Sequence, residues 1–252
     1  MIKAIRLAQT GGPDVMSYQD YDLPPPPPGQ IQVRHTAIGV NFIDIYHRTG
    51  LYALPLPSGL GSEAAGTVEG LGEGVTGFLV GQRVGYASGA IGSYAQANNV
   101  PAAKLVKLPD GISDEVAAAI LLKGMTAQYL LRRIHPVQAG ETIVLHAAAG
   151  GVGQIACQWA AHLGATVIGT TTSPEKVQLA RDNGCAHVLN THQAGWEKKV
   201  RELTGGAGVP VVYDSIGKDT FLAGLDCLRV RGIMVTYGNA SGPVAPFAPS
   251  LL

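Results

Sequence analysis

The run Ala148-Ala149-Gly150-Gly151-Val152-Gly153 has the residue types and spacing to hold a phosphate. Gly150 and Gly153 fill two positions of a G-x-G-x-x-G pattern, and Ala148 stands at the first. The middle glycine lets backbone approach a pyrophosphate, and the last lets a helix pack tightly on the preceding strand. A β-like run, Thr142-Ile143-Val144-Leu145, leads into the turn. A helical stripe of Ile155, Trp159 and Leu163 leaves it and stops at Gly164. The first-turn amides of such a helix face an anion. Thr204-Gly205-Gly206-Ala207-Gly208 is as rich in glycine but precedes a strand, offers no helix dipole and reads as a loop.

The end of the next strand says which dinucleotide. An NAD site presents Asp or Glu about 20 residues beyond the turn, on the ribose hydroxyls. Here the strand ends in Thr171 and Ser173, and Lys176 lies one helical turn on. A carboxylate would repel a 2′-phosphate, whereas hydroxyls and an ammonium would hold it, so the residues predict NADPH over NADH. The plainer alternative is that Thr171 and Ser173 only cap the next helix. Glu175 argues against the reading unless it points outward.

The elements that must position these groups follow two grammars. Up to about residue 110 the chain reads as short strands broken by Gly and Pro: 31–35, 37–40, 66–69, 82–86 and 104–108, a barrel-like β domain. The five prolines Pro24 to Pro28 read as a stiff connector rather than a ligand for proline-recognition domains. From Ser113, a good N-cap, a helix is expected to about Leu122 and a second from Thr126 to Arg133. Strands near 142–146, 166–170, 186–189, 209–213 and 232–236 then alternate with helices near 151–163, 174–183, 196–203 and 218–228. That alternation predicts a parallel sheet covered on both faces.

Composition narrows the classes. Of 252 residues, 46% are hydrophobic and only 14% charged, against roughly 25% charged in an average globular protein. Eighteen basic and eighteen acidic residues cancel, so nothing points to nucleic acid or an anionic membrane. Three cysteines without a Cys-x-x-Cys pair argue against a disulfide framework and fit the cytoplasm. No signal peptide is evident, and the longest apolar run, Val116 to Leu122, is too short to span a bilayer.

Further segments complete a pattern: Val40-Asn41-Phe42-Ile43-Asp44-Ile45-Tyr46, the run from Gly59 to Val75, Leu122-Lys123-Gly124-Met125-Thr126-Ala127, and Val212-Tyr213-Asp214-Ser215-Ile216-Gly217. With the glycine turn, they resemble the medium-chain dehydrogenase/reductase superfamily, and within it the zinc-free quinone oxidoreductases, the zeta-crystallin-like group. The resemblance covers essentially the whole chain. It implies an α/β protein with a GroES-like β-barrel domain over residues 1–122 and a Rossmann doubly wound parallel sheet over 123–252, with NADPH held in a cleft between them. It places Gly150, Gly151, Val152 and Gly153 on the pyrophosphate and Thr171, Ser173 and Lys176 around the adenosine phosphate. Ser215, Tyr237, Gly238, Asn239 and Ala240 would line the nicotinamide half. Asn41, Phe42, Ile45, Lys123 and Thr126 would close over the nicotinamide, with Asn41 or Thr126 orienting it or bonding the substrate oxygen. Tyr46 and Tyr52 would offer phenols to the substrate carbonyls; half-buried packing is the alternative for both. Thr191 stands where family members often carry a tyrosine beside the adenine.

Zinc members of the superfamily carry a ligand Cys where Asn41 stands and a His where Ser62 stands. A catalytic zinc needs about three converging His, Cys or carboxylate ligands. His47, Glu63, Asp44 and Cys157 show no such spacing, so no metal is expected. A quinone suits a metal-free site, because hydride arrival gives a delocalised hydroquinone anion. The expected activity is therefore NADPH-dependent quinone reduction. Reduction of a conjugated enone or enal is the second reading, and NADPH binding with little catalysis the third. The pattern stops one helix and one strand short of six strands, before the return to the first domain. The full-length family implies a homodimer; for this chain the expectation stays open.

Overall fold

The structure, a computed structural model, describes residues 1–252 and divides into two compact units, Met1–Leu122 and Lys123–Leu252. In the first, β1 (Ile2–Leu7) pairs antiparallel with β2 (Met16–Tyr21). Next come β3 (Gln30–Gly39), α1 (Phe42–Thr49), β4 (Ser58–Gly59), β5 (Glu63–Leu71), β6 (Arg83–Ala87), β7 (Ala97–Pro101) and β8 (Leu105–Lys107). One sheet runs β2-β1-β4 and the other β7-β3-β5-β6-β8, and an isolated bridge joins Ala4 to Ala95. Alternation along β3 sends Ile31 and Val33 into a core with Ala64, Val68, Val84 and Tyr86. Inside it, the His35 Nδ1 lies 2.7 Å from the Ala95 carbonyl, so it must be the protonated nitrogen. Nε2 therefore accepts from the buried Tyr86 hydroxyl at 2.9 Å. His35 is a satisfied core residue.

Helix α1 forms where no element is expected from the sequence. Its start is fixed by Asp44 Oδ2, which accepts the Asn41 N–H at 2.9 Å, and its end by Gly50 in the left-handed region, φ 84°. Asn41 and Asp44, three apart, are the signal that marks it.

A single helix, α2 (Asp114–Tyr129), replaces the two expected, and a π-type turn over Leu130–Ile134 ends it. Ser113 Oγ accepts the Val116 N–H at 3.2 Å, the N-cap the sequence indicates. Gly124 does not interrupt the helix, since a mid-helix glycine costs only about 1 kcal/mol.

The second unit continues with β9 (Thr142–Leu145), α3 (Gly151–His162), β10 (Thr166–Thr171), a 3₁₀ turn (Pro174–Lys176), α4 (Val177–Asp182) and β11 (Cys185–Asn190). Then follow α5 (Trp196–Leu203), β12 (Val209–Asp214), α6 (Phe221–Asp226) and β13 (Leu228–Thr236). All pairs are parallel, in the order β11-β10-β9-β12-β13, with the reversal between β9 and β12. This is the doubly wound sheet expected. The last helix is shorter than expected and β13 begins earlier, at Leu228. All six residues of β12 are buried. Ile143, Leu145, Val211 and Tyr213 face one core cluster, while Val144 and Val212 face the other. Each such side chain contributes about 1.5–3 kcal/mol. The Thr204–Gly208 loop is held by Arg201, which donates to Gly206, Ala207, Asp226 and Leu228 carbonyls. Its glycines serve a turn.

Candidate active site

The glycine turn forms as a strand-to-helix corner. Ala148 N–H bonds the Thr170 carbonyl at 3.0 Å and Gly150 N–H the Ala147 carbonyl at 2.8 Å, so the corner is tied to the sheet. Gly150 is the N-cap of α3 with extended backbone, and no side chain caps the helix. The helix start is thereby open to an external acceptor. At Gly153 an added Cβ would lie 2.3 Å from the Ala147 carbonyl oxygen and 2.6 Å from that of Ala148. Only glycine allows that approach. At Gly151 the same atom would meet the Lys123 stem at 2.8 Å, which lays Lys123 beside the start of α3. Thr126 lies one turn further along α2, half-buried.

At the end of β10, Thr171 is buried and its hydroxyl accepts the Ser173 N–H at 3.2 Å. Ser173 precedes the 3₁₀ turn, yet its side chain makes no capping bond. Its Oγ is buried with no hydrogen-bond partner of normal geometry. Glu175 feels that hydroxyl, which leads the causes holding its carboxyl below the usual range, but Glu175 itself is exposed. Lys176 is exposed on the same turn. Two hydroxyls and an exposed ammonium thus stand at and just after the end of β10, donors of the kind a phosphate takes. The cradle glycines and these donors fit a phosphorylated dinucleotide.

The loops after β12 and β13 are knitted together. Ala240 N–H bonds the Ser215 carbonyl at 3.1 Å, Ser241 N–H that of Ile216 at 2.8 Å, and Tyr237 N–H that of Asp214 at 2.8 Å. Gly238 fits because an added Cβ would lie 2.8 Å from the Ser215 carbonyl oxygen. Ser215, Tyr237, Gly238, Asn239 and Ala240 thus form one knitted corner of the second unit, in which Gly238 is buried and Tyr237 packs against the core. The fully buried Asp214 anchors it, accepting Ile216 and Gly217 N–H groups and the Thr220 hydroxyl. Asp214 is a supporting residue that sequence reasoning missed; an acid closing the apolar run of β12 is its signal.

In the first unit, α1 presents Phe42 and Ile45 at the surface and buries Asn41 and Tyr46. Phe42 and Tyr46 rings lie 5.3 Å apart, Tyr46 and Tyr52 5.0 Å, one aromatic row. Tyr52 is partly exposed, whereas Tyr46 is mostly packing. Asn41 Nδ2 donates to Glu63 Oε2 at 2.6 Å, and Leu122 N–H donates to Glu63 Oε1 at 2.7 Å. Asp44 also accepts the Tyr94 hydroxyl at 2.7 Å and the Ser62 hydroxyl at 3.3 Å. Burial, then the Asp44 carboxylate, pushes the Tyr94 phenol pKa up. Two buried carboxylates therefore hold Asn41, one through its main chain and one through its amide. Glu63 was weighed only as a metal ligand in the sequence; a carboxylate inside Gly61-Ser62-Glu63-Ala64-Ala65-Gly66 is the signal for this role. No three His, Cys, Asp or Glu side chains converge as a metal site would require.

Known proteins resemble the chain along both units. The alcohol dehydrogenase GroES-like domain matches residues 27–110, and the zinc-binding dehydrogenase domain matches residues 151–252. A quinone oxidoreductase of Pseudomonas aeruginosa is 54% identical over 97% of this chain and 75% of its own length. A 2-haloacrylate reductase of Burkholderia sp. is 49% identical over 98% of the chain and 76% of its own. The crystal structure of Escherichia coli quinone oxidoreductase complexed with NADPH is 46% identical and superposes with a TM-score of 0.96, covering 99% of this chain and 77% of that one.

Proposed function

We propose NADPH-dependent reduction of quinones as the activity of this chain, which belongs to the quinone oxidoreductase family of the medium-chain dehydrogenase/reductase superfamily. The observation that carries the cofactor reading is the end of β10, where Thr171 and Ser173 stand at the place where an NAD site has a carboxylate and Lys176 follows on the next turn. The P. aeruginosa and E. coli relatives support both substrate and cofactor.

Bound NADPH supplies the hydride. In the second unit, the amides from Gly150 to Gly153 bind the pyrophosphate, and Lys123 adds a charge beside them. Thr171, Ser173 and Lys176 bind the 2′-phosphate. Ser215, Tyr237, Gly238, Asn239, Ala240 and Thr126 orient the nicotinamide. In the first unit, Asn41, Phe42 and Ile45 contact the nicotinamide, and Tyr52, backed by Tyr46, offers a phenol to a quinone oxygen. The hydride transfer uses no metal. The donor set supports this: Asn41 and Ser62 each donate to a carboxylate. The delocalised hydroquinone anion asks only for proximity and hydrogen-bond donors, and solvent supplies the proton. Three free thiols support a cytoplasmic location. No helix is long and apolar enough to cross a membrane.

The 2-haloacrylate reductase relative favours a second reading, reduction of a conjugated carbon–carbon double bond. Steady-state NADPH oxidation with a small benzoquinone beside an enone separates the two. Faster turnover of the quinone is expected; faster turnover of the enone would reverse the order.

A further inference from the structure

We propose that Cys157 and Cys185 form an oxidisable dithiol beneath the phosphate turn, a site where hydroperoxide converts the second unit to a form that binds dinucleotide more weakly. Neither thiol has a role in the activity above. Both are buried and reduced, and their sulfurs lie 3.3 Å apart. Cys157 sits on α3, six residues from Gly151 along the phosphate-turn helix, and Cys185 opens β11.

The surroundings tie the pair to the turn. An added Cβ at Gly169 would lie 2.5 Å from Cys185 Sγ and 2.7 Å from Ala148 Cβ, so the sulfur fills the space under the first residue of the turn. Cys157 Sγ lies 4.0 Å from the Ala148 carbonyl oxygen. Gly184, with φ 100°, brings the start of β11 onto α3, where its Cβ would lie 3.1 Å from the Cys157 carbonyl oxygen. The third thiol, Cys227, belongs to a different core cluster.

The shared hydrogen bond makes the two sulfurs unequal. It holds the Cys185 pKa down, while the same bond, with burial, pushes Cys157 up. Cys185, the less deeply buried of the two, is the partner an oxidant meets first, and Cys157 is the resolving one. Both sulfurs are buried, so hydrogen peroxide, the oxidant of the proposed step, reaches them when the second unit opens locally. Cys185 sulfur attacks a peroxide oxygen; the S–O bond forms, the O–O bond breaks, and the departing hydroxide takes a proton to become water. Cys157 sulfur then attacks the sulfenic sulfur; the S–S bond forms, the S–O bond breaks, and a second water leaves. Two thiols lose two electrons and two protons, and one peroxide becomes two waters. A disulfide bond is about 2.05 Å long, so the sulfurs must close by roughly 1 Å in an interior that is close-packed. The shift falls on α3 relative to Ala148.

The site goes beyond the proposed activity; only its affinity readout rests on NADPH binding. The test treats the reduced full chain with hydrogen peroxide, maps crosslinks by mass spectrometry without reductant, and titrates NADPH before oxidation, after it, and after dithiothreitol. The expected result is a Cys157–Cys185 crosslink with Cys227 still alkylatable, and NADPH affinity lower by about tenfold. Dithiothreitol should restore it, and Cys185→Ala should abolish both effects. Failure of the two thiols to crosslink in the folded chain would overturn the proposal, as would a crosslink with unchanged affinity. If the reduced chain binds no NADPH, the cofactor reading fails, and the crosslink alone decides the dithiol.

Discussion

The Asn41 amide donates to the fully buried Glu63 carboxylate over 2.6 Å, and the same carboxylate accepts the Leu122 N–H. A carboxylate removed from water at this position is held for the donors it orients. Glu63→Ala takes the acceptor from both, and we expect a loss of about 3 kcal/mol in urea unfolding. Glu63→Gln should cost less, because one acceptor oxygen remains. Wild-type stability in Glu63→Ala would show that the carboxylate is dispensable.

His146 predicts a pH dependence. Burial holds its imidazole down at about 4 from an ordinary 6.5, against a partial upward pull from the Asp214 carboxylate. Its Nδ1 meets the Thr170 hydroxyl at 2.8 Å, its ring stands edge-on to Trp196, and its Nε2 is buried without a partner. Between those two pH values the unfolded chain binds a proton that the folded chain refuses. Stability is therefore full above 6.5 and is lost as pH falls toward 4, by up to about 3 kcal/mol. Urea midpoints of the wild type and His146→Asn, compared from pH 7.5 to 4.5, should converge as acid is added. Parallel curves would mean that the imidazole titrates normally.

Gly153→Ala tests the corner itself. Its methyl would collide with two carbonyl oxygens of the turn, so α3 must move off β9. We expect a destabilisation of about 1–3 kcal/mol together with weaker NADPH binding. A variant that binds as the wild type does would show that the turn tolerates a side chain.

Much of this was legible in the sequence for reasons of period and local chemistry. The strands of the second unit are continuous apolar runs, and their alternation with helices admits few topologies. The glycine turn is legible because Gly150 and Gly153 are needed at fixed offsets. Helix α1 was hidden because it is only eight residues long and includes β-branched and aromatic residues, Ile43 and Tyr46 among them; its capping pair Asn41 and Asp44 is the local signal that marks it. The Glu63 network was hidden because its donors, Asn41 and Leu122, come from distant positions; the Asp214 network is local, and only the acid at the end of β12 marks it. The sequence left Thr171 and Ser173 open between helix caps and phosphate ligands. The geometry shows that Ser173 makes no capping bond.

The most direct measurement is a fluorescence titration of the reduced chain with NADPH and, separately, with NADH. NADPH should bind at least about tenfold more tightly, a gap of about 1.4 kcal/mol, and Ser173→Ala and Lys176→Ala should each narrow it. Equal affinity for the two, a preference for NADH, or no binding of either would contradict the account.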